Sequence, residues 1–160
     1  MKNAIAIGML GLALFARGAA AQTAAEQTRI LGEFQRSVVD YTQRHRCLDM
    51  FPEASSAATP APKVFTLPVA VVFRQLISRT VAAPNGVAIS GARATHHPAV
   101  LEPFPATGLF DFPEALGDAL PPLPSPLEYR LINNDLAIRD ADADVIIAVL
   151  RDALGTVTTR

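Results

Sequence analysis

Residues 127–150, LEYRLINNDLAIRDADADVIIAVL, carry the densest local code in the chain. Leu127, Tyr129 and Leu131 alternate with Glu128 and Arg130, and Leu136 and Ile138 alternate with Ala137 and Arg139. Two short runs of period-two alternation joined by Asn-Asn-Asp predict a β-hairpin. Charge decides its register. With Asn133-Asn134 as a two-residue turn, Leu131 faces Leu136, Tyr129 faces Ile138, and Glu128 faces Arg139 as an opposite-charge pair. Sliding the turn to Asn134-Asp135 would oppose Arg130 and Arg139 instead, which like-charge repulsion disfavours. Asn accepts the positive φ that a type I′ turn requires.

After the hairpin, Asp140 reads as a helix cap, with Asp142 and Asp144 in a first turn where negative charge meets the helix dipole. Val145, Ile146, Val149, Leu150 and Ala153 would be the buried face of a short helix, and Gly155 its stop. Their β-branched content makes a third strand the alternative. Before the hairpin, Leu120–Pro126 contains four prolines and predicts an extended, polyproline-like approach. It runs directly into a strand, so its leucines are assigned to covering their own domain rather than to a partner's groove.

Upstream the pattern is helical. Leu31, Phe34, Val38, Tyr41, His45 and Leu48 fall on one stripe of a helix over 24–48, with Asp40 and Arg44 as a favourable i,i+4 pair. The stripe covers too few heptads for a sustained coiled coil, so it is assigned to intramolecular packing, with self-association through this helix as the alternative partner role. Residues 50–64 read as a solvated connector rich in Ala, Ser, Thr and Pro. A second helix is predicted from an N-cap at Thr66, with Pro68 in its first turn, a face of Val69, Val72, Phe73, Leu76, Ile77 and Thr80, and a stop at Pro84-Asn85-Gly86. Residues 87–112 have too many Gly and Pro for long elements and predict a loop that packs. Asp111-x-x-Glu114 with Pro113 predicts a capping box and a short helix to Ala119, presenting Leu116 and Leu120 to the core.

The N-terminus predicts export. Lys2 precedes an apolar run from Ala4 to Ala16, and Ala19-Ala20-Ala21 offers a small-residue cleavage site. The run is shorter than the roughly 20 residues that span a bilayer. Residues 1–21 are thus expected to be a signal peptide, and 22–160 a single domain of 139 residues with no membrane span. Lys2 and Arg17 leave with the signal, so 12 basic and 15 acidic residues remain. That balance offers no basic stripe for nucleic acid and no polybasic membrane patch. Cys47, the one cysteine, has no internal disulfide partner; it reads as a small half-buried helix residue, with pairing between chains as the alternative.

No motif for chemistry is complete, and no catalytic, cofactor-binding or metal residue is assigned. Asp140-x-Asp142-x-Asp144 opens like a calcium loop, but Val145 stands where Gly is needed and Arg151 where Glu is needed. His96-His97 lacks the further ligands that zinc requires, and His45, flanked by arginines, reads as a packed helix residue. There is no G-x-S-x-G, P-loop or dinucleotide motif. Glu102, Glu114 and Glu128 show no spacing that marks an acid/base pair.

The pieces Tyr41-x-x-x-His45-Arg46, VFTLPVAVVFRQLI over 64–77, and the LPPLPSPLEYR tail with its DLAIRD strand resemble a group of uncharacterised secreted bacterial proteins over most of the mature chain. The tail common to that group looks like LPPLPxxLEYRFVGRDLVLRDxxANLIVDFI; this chain departs from it at Ile132–Asp135 and at Asp144-Val145. The resemblance implies export and no established activity. The hairpin is similar, more weakly, to that of small periplasmic proteins of nickel and cobalt homeostasis; because hairpin signals are generic, no metal function is carried across.

The expectation is therefore an α+β domain in the periplasm or outside the cell: long helix, second helix, short capped helix, and a C-terminal hairpin followed by a short helix. Its leading function is non-enzymatic binding or structural partnership through an apolar groove. The alternative is a periplasmic hydrolase in which His45 or the His96-His97 segment meets a carboxylate.

Overall fold

A hairpin with one apolar face cannot stand alone in water, so the arrangement of the chain is set by what covers it. The computed structural model describes residues 12–50, 62–83, 97–105 and 109–155, with side chains over 23–46, 62–83, 97–105 and 111–155. In chain order the elements are α1 (Leu12–Met50), α2 (Leu67–Val81), β1 (Leu109–Phe110), α3 (Glu114–Ala119), β2 (Leu127–Ile132), β3 (Asp135–Asp140) and β4 (Val145–Leu150). Among the described residues the strands form one antiparallel sheet in the order β1-β2-β3-β4. The α+β class and the hairpin stand as expected.

The hairpin register is the one that charge complementarity selected. Leu131 pairs with Leu136, Tyr129 with Ile138 and Glu128 with Arg139, and the Glu128 and Arg139 side chains meet at 2.9 Å. Asn133 has φ 57° and Asn134 stays out of the left-handed region. The turn thus has one residue of positive φ at its first central position, where a type I′ turn needs two.

The segment after the hairpin corrects the sequence reading. Val145–Leu150 is strand β4, the alternative its β-branched content offered, and not the short helix expected, so Asp140 caps no helix. Two physical features disguised it. Both faces of the sheet are covered here, so the strand reads as an unbroken apolar run. A β-bulge also shifts the register between Ile138 and Arg139, so that Ile146 opposes Arg139 while Ala148 opposes Ile138. The extra residue, Ile147, joins Ala148 and Leu150 in the helix-side core, while Ile146 and Val149 belong to the opposite face. One inserted residue thereby converts strand alternation into a spacing that mimics a helix.

The helix-side core follows from the predicted stripes. Phe34, Val38 and Tyr41 of α1 and Val69, Val72, Phe73 and Ile77 of α2 are buried against Leu127, Leu131, Leu136 and Ile138. Phe34 and Phe73 lie 4.7 Å apart between centroids, and Phe65 meets Phe73 edge-on at 5.3 Å. Val64, at the end of the expected solvated connector, is also buried in this core. Residues 51–61 of that connector, the Pro84-Asn85-Gly86 stop and the first eleven residues of the expected signal lie outside the described residues. Helix α1 starts earlier than the apolar stripe indicated, at Leu12, through an Ala-rich stretch of high helix propensity. No helix among the described residues is long and apolar enough to cross a membrane.

The remaining pieces are tied down by side chains. Gln35 Nε2 and Arg46 Nη2 of α1 donate to the carbonyls of Pro122 and Ser125, and the Tyr129 hydroxyl donates to that of Pro121. The proline run therefore packs on its own domain. Helix α3 begins at Glu114 with Pro113 at its N-cap and no side-chain cap bond, so the Asp111/Glu114 capping box does not form. Glu114 is the first helical residue, too early for its part in the box; Phe112 turns inward to stack on Tyr129 at 5.9 Å. The predicted loop of 87–112 supplies a two-residue strand, β1, on the edge of β2. Its Leu101–Phe104 portion bonds to the outer edge of β4: Leu101 N–H to Ile146 O, Ile146 N–H to Glu102 O, and Phe104 N–H to Asp144 O. This contact covers an edge that would otherwise invite strand addition.

Tyr129 packs between Phe73 and Phe112, and burial pushes its phenol pKa up. Tyr129→Asp is expected to cost more than about 3 kcal/mol, enough to unfold a small domain; an unchanged Tm in thermal denaturation would refute this packing. A double-mutant cycle on Glu128 and Arg139 should give a coupling of about 0.5–1 kcal/mol; no coupling would remove charge as a selector of register.

Candidate functional site

Among the described residues, three features combine surface access with chemistry. The first is a polar knot on the sheet face away from the helices. Strand β3 opens with Asp135, whose side chain is 0 % exposed. A buried carboxylate persists only if its lone pairs are used. Here Oδ1 accepts the backbone N–H of Asp152 at 2.9 Å, and Oδ2 meets Arg151 Nη1 at 2.8 Å and His97 Nδ1 at 3.0 Å. Burial is the largest single influence on this carboxyl and raises its pKa; the three donors together outweigh it and hold the group below its ordinary value. The His97 side chain is 67 % exposed, so this member of the knot lies largely at the surface. Three segments remote in sequence thus converge on one carboxylate: the 97–105 segment, the hairpin and the C-terminal turn.

Beside this knot the same face carries a small apolar cluster of Ile132, Ala137 and Ile146, packed with Phe104 and Val149. The Arg139 guanidinium lies 4.5 Å from the Phe104 ring centroid and bonds Glu128 and Asp144. Asp144, expected in a helix first turn, instead sits in the β3–β4 turn with φ 54° and serves Arg139.

The second feature is a cleft of about 190 Å³ between α1, the end of the proline run and the β3–β4 turn. Its floor is Asp140, 3 % exposed. The Tyr41 hydroxyl donates to Asp140 Oδ2 at 3.0 Å, while the backbone N–H groups of Asp142 and Ala143 donate to Oδ1 at 3.1 Å each. Asp140 thus closes a side-chain-to-backbone turn instead of capping a helix. His45 stacks on Tyr41, with centroids 4.4 Å apart, and lines the cleft with Arg46.

The third is an apolar groove of about 590 Å³ between the N-terminal halves of α1 and α2. Ile30, Leu67, Pro68, Val71 and Val72 line it, Thr23, Gln27 and Gln75 contribute neutral polar groups, and Glu26, paired with Arg29, contributes a carboxylate. Leu67 is 78 % exposed and Val71 46 %, two adjacent aliphatic side chains on the outer face of α2.

The histidines weighed from sequence therefore divide. His97 meets a carboxylate and His45 meets a tyrosine in a cleft, while His96 and the side chain of Cys47 lie outside the described residues. Glu102 accepts from the backbone N–H of Ala99, Glu114 opens α3, and Glu128 pairs with arginines; the structure brings no two of them together as a catalytic pair. Among the described residues no group of three or more His, Cys, Asp or Glu is placed to hold a metal ion. Sequence reasoning gave Asp135 no role, because nothing local distinguishes a turn aspartate from one whose partners lie 38 residues before it and 16 after it.

A carboxyl whose folded pKa lies below its unfolded value contributes stability that is full above the unfolded value and lost as pH falls through the folded one. For Asp135 that loss begins around the ordinary value of 3.8 and continues below it. Asp135→Asn should lower stability at neutral pH by about 2–4 kcal/mol, because it leaves Arg151 and the Asp152 N–H without an ionised acceptor. It should also flatten the acid limb of a plot of urea midpoint against pH. Acid limbs of equal depth in the two proteins would remove Asp135 as their source.

Searches against protein-family models, curated proteins and solved structures found no match to this chain.

Proposed function

We propose that the protein is an exported, non-enzymatic binding domain of the periplasm or extracellular space, and that it takes apolar side chains of a protein partner into the groove between α1 and α2. The groove carries this reading: aliphatic walls, an edge of Thr23, Gln27, Gln75 and the Arg29-paired carboxylate of Glu26, and Leu67 standing 78 % exposed. Aliphatic surface left in contact with water gains about 25 cal/mol for each Å² that a partner covers. A trough between two helices suits the apolar stripe of an amphipathic segment. Export rests on the charged start, apolar run and Ala19–Ala21 site, and on the resemblance to secreted bacterial proteins.

The second reading, hydrolysis, is favoured by one contact, that of His97 with Asp135. A carboxylate on Nδ1 orients an imidazole for base chemistry at its other nitrogen. Against it, neither cleft described above includes His97, and the carboxylate is fully engaged in joining chain segments.

An apolar fluorophore such as 8-anilinonaphthalene-1-sulfonate should bind the folded chain saturably. Val71→Glu and Leu67→Glu should each weaken it about tenfold or more while leaving Tm nearly unchanged, since both side chains are exposed. Undiminished fluorescence in both variants would exclude the groove. Turnover of a chromogenic ester that falls about 100-fold in His97→Gln would instead establish the hydrolytic reading.

A further inference from the structure

The cleft over Asp140 has no part in the apolar groove, and its electrostatics are incomplete. Asp140 is a buried carboxylate with three hydrogen-bond donors, all neutral: one phenol and two backbone amides. Among the described residues it has no ion pair, in contrast to Asp135, which has Arg151. A carboxylate can accept about four hydrogen bonds, so these three neutral donors leave room for one more and supply no formal counter-charge. A buried charge without a counter-charge is costly, and a cation entering the cleft would relieve that cost.

The rest of the lining has both signs. Asp142, from the β3–β4 turn, adds a second carboxylate on the Asp140 side. The helix wall contributes Arg46, whose guanidinium uses one nitrogen on the Ser125 carbonyl, together with His45 and Thr42. An arginine has five N–H donors in a fixed fork, which suits a carboxylate. The volume, about 190 Å³, is that of roughly six water molecules at about 30 Å³ each, too small for a drug-sized ligand and ample for a compact one.

We propose that this cleft is a binding site for a small zwitterion of the α-amino acid class. The ammonium group sits against Asp140 and Asp142, and the carboxylate against Arg46 with His45 as a further donor. The site is independent of the apolar groove, so the two stand or fall separately.

The test is titration of the full chain with glycine and L-alanine, followed by the amide NMR signals of Arg46, Asp142 and Ala143. Saturable shifts confined to these residues are expected, with methylammonium and acetate, the two halves of the ligand, each binding about tenfold more weakly or less. Arg46→Gln and Asp142→Asn should each weaken glycine binding about tenfold. Both residues are exposed, and Asp142→Asn carries the test should Arg46→Gln lower Tm. The absence of saturable shifts up to about 10 mM amino acid, a cleft filled by water alone, would overturn the proposal. So would binding that survives both substitutions, or acetate or methylammonium binding as tightly as glycine.

Discussion

The structure depends on covering strand β3 on both faces. It lies inside the sheet, with β2 on one side and β4 on the other, and five of its six residues are buried. One face, Leu136 and Ile138, requires the aromatic core of α1 and α2; the other, Ala137 with its neighbours Ile132 and Ile146, requires Phe104, over whose ring the Arg139 guanidinium lies. A sheet with apolar residues on both sides recruits chain from both ends of the sequence, and the helices, the proline run and the 97–105 segment are placed accordingly.

A buried carboxylate marks each end of β3, and the two are treated differently. Asp135 is neutralised by Arg151 and fastened to His97 and the Asp152 amide, so it joins the C-terminal turn and the 97–105 segment to the hairpin. Asp140 is fastened to Tyr41 of α1 and to its own turn by neutral donors only, and it faces a cleft. A buried charge with its counter-charge supplied within the fold serves architecture; one without it beside accessible space offers a ligand something to neutralise. The aspartates of the DADAD run thus have three fates: cleft floor, cleft rim and Arg139 partner.

Helix α1 does more than cover the sheet. Its stripe is spent on the core, so the exposed apolar surface shifts to the seam with α2, where Leu67 and Val71 leave a groove. Toward its other end the same helix presents Tyr41, His45 and Arg46 to the sheet's polar turn. One helix of about 58 Å over its 39 residues can therefore line two clefts of opposite chemistry without their overlapping.

By itself the sequence determined the features that local rules govern. Alternation and charge pairing set the β2–β3 register down to Glu128 opposite Arg139, and the helical stripes picked out Phe34, Val38 and Tyr41 of α1 and Val69, Val72, Phe73 and Ile77 of α2 for the core, though not Ile30 or Ala70. Proline placement also set the start of α2, with Pro68 in its first turn, because this constraint acts within a few residues. Tertiary structure alone decided the rest. The bulge at Ile147 turned a helix-like spacing into β4, a choice that depends on a neighbouring strand. Asp135, His97 and Arg151 came together, as did Asp140 and Tyr41, across separations of 16 to 99 residues. No local pattern encodes such meetings. They follow from the cost of burying a carboxylate, which is met by whichever donors the completed fold brings within reach.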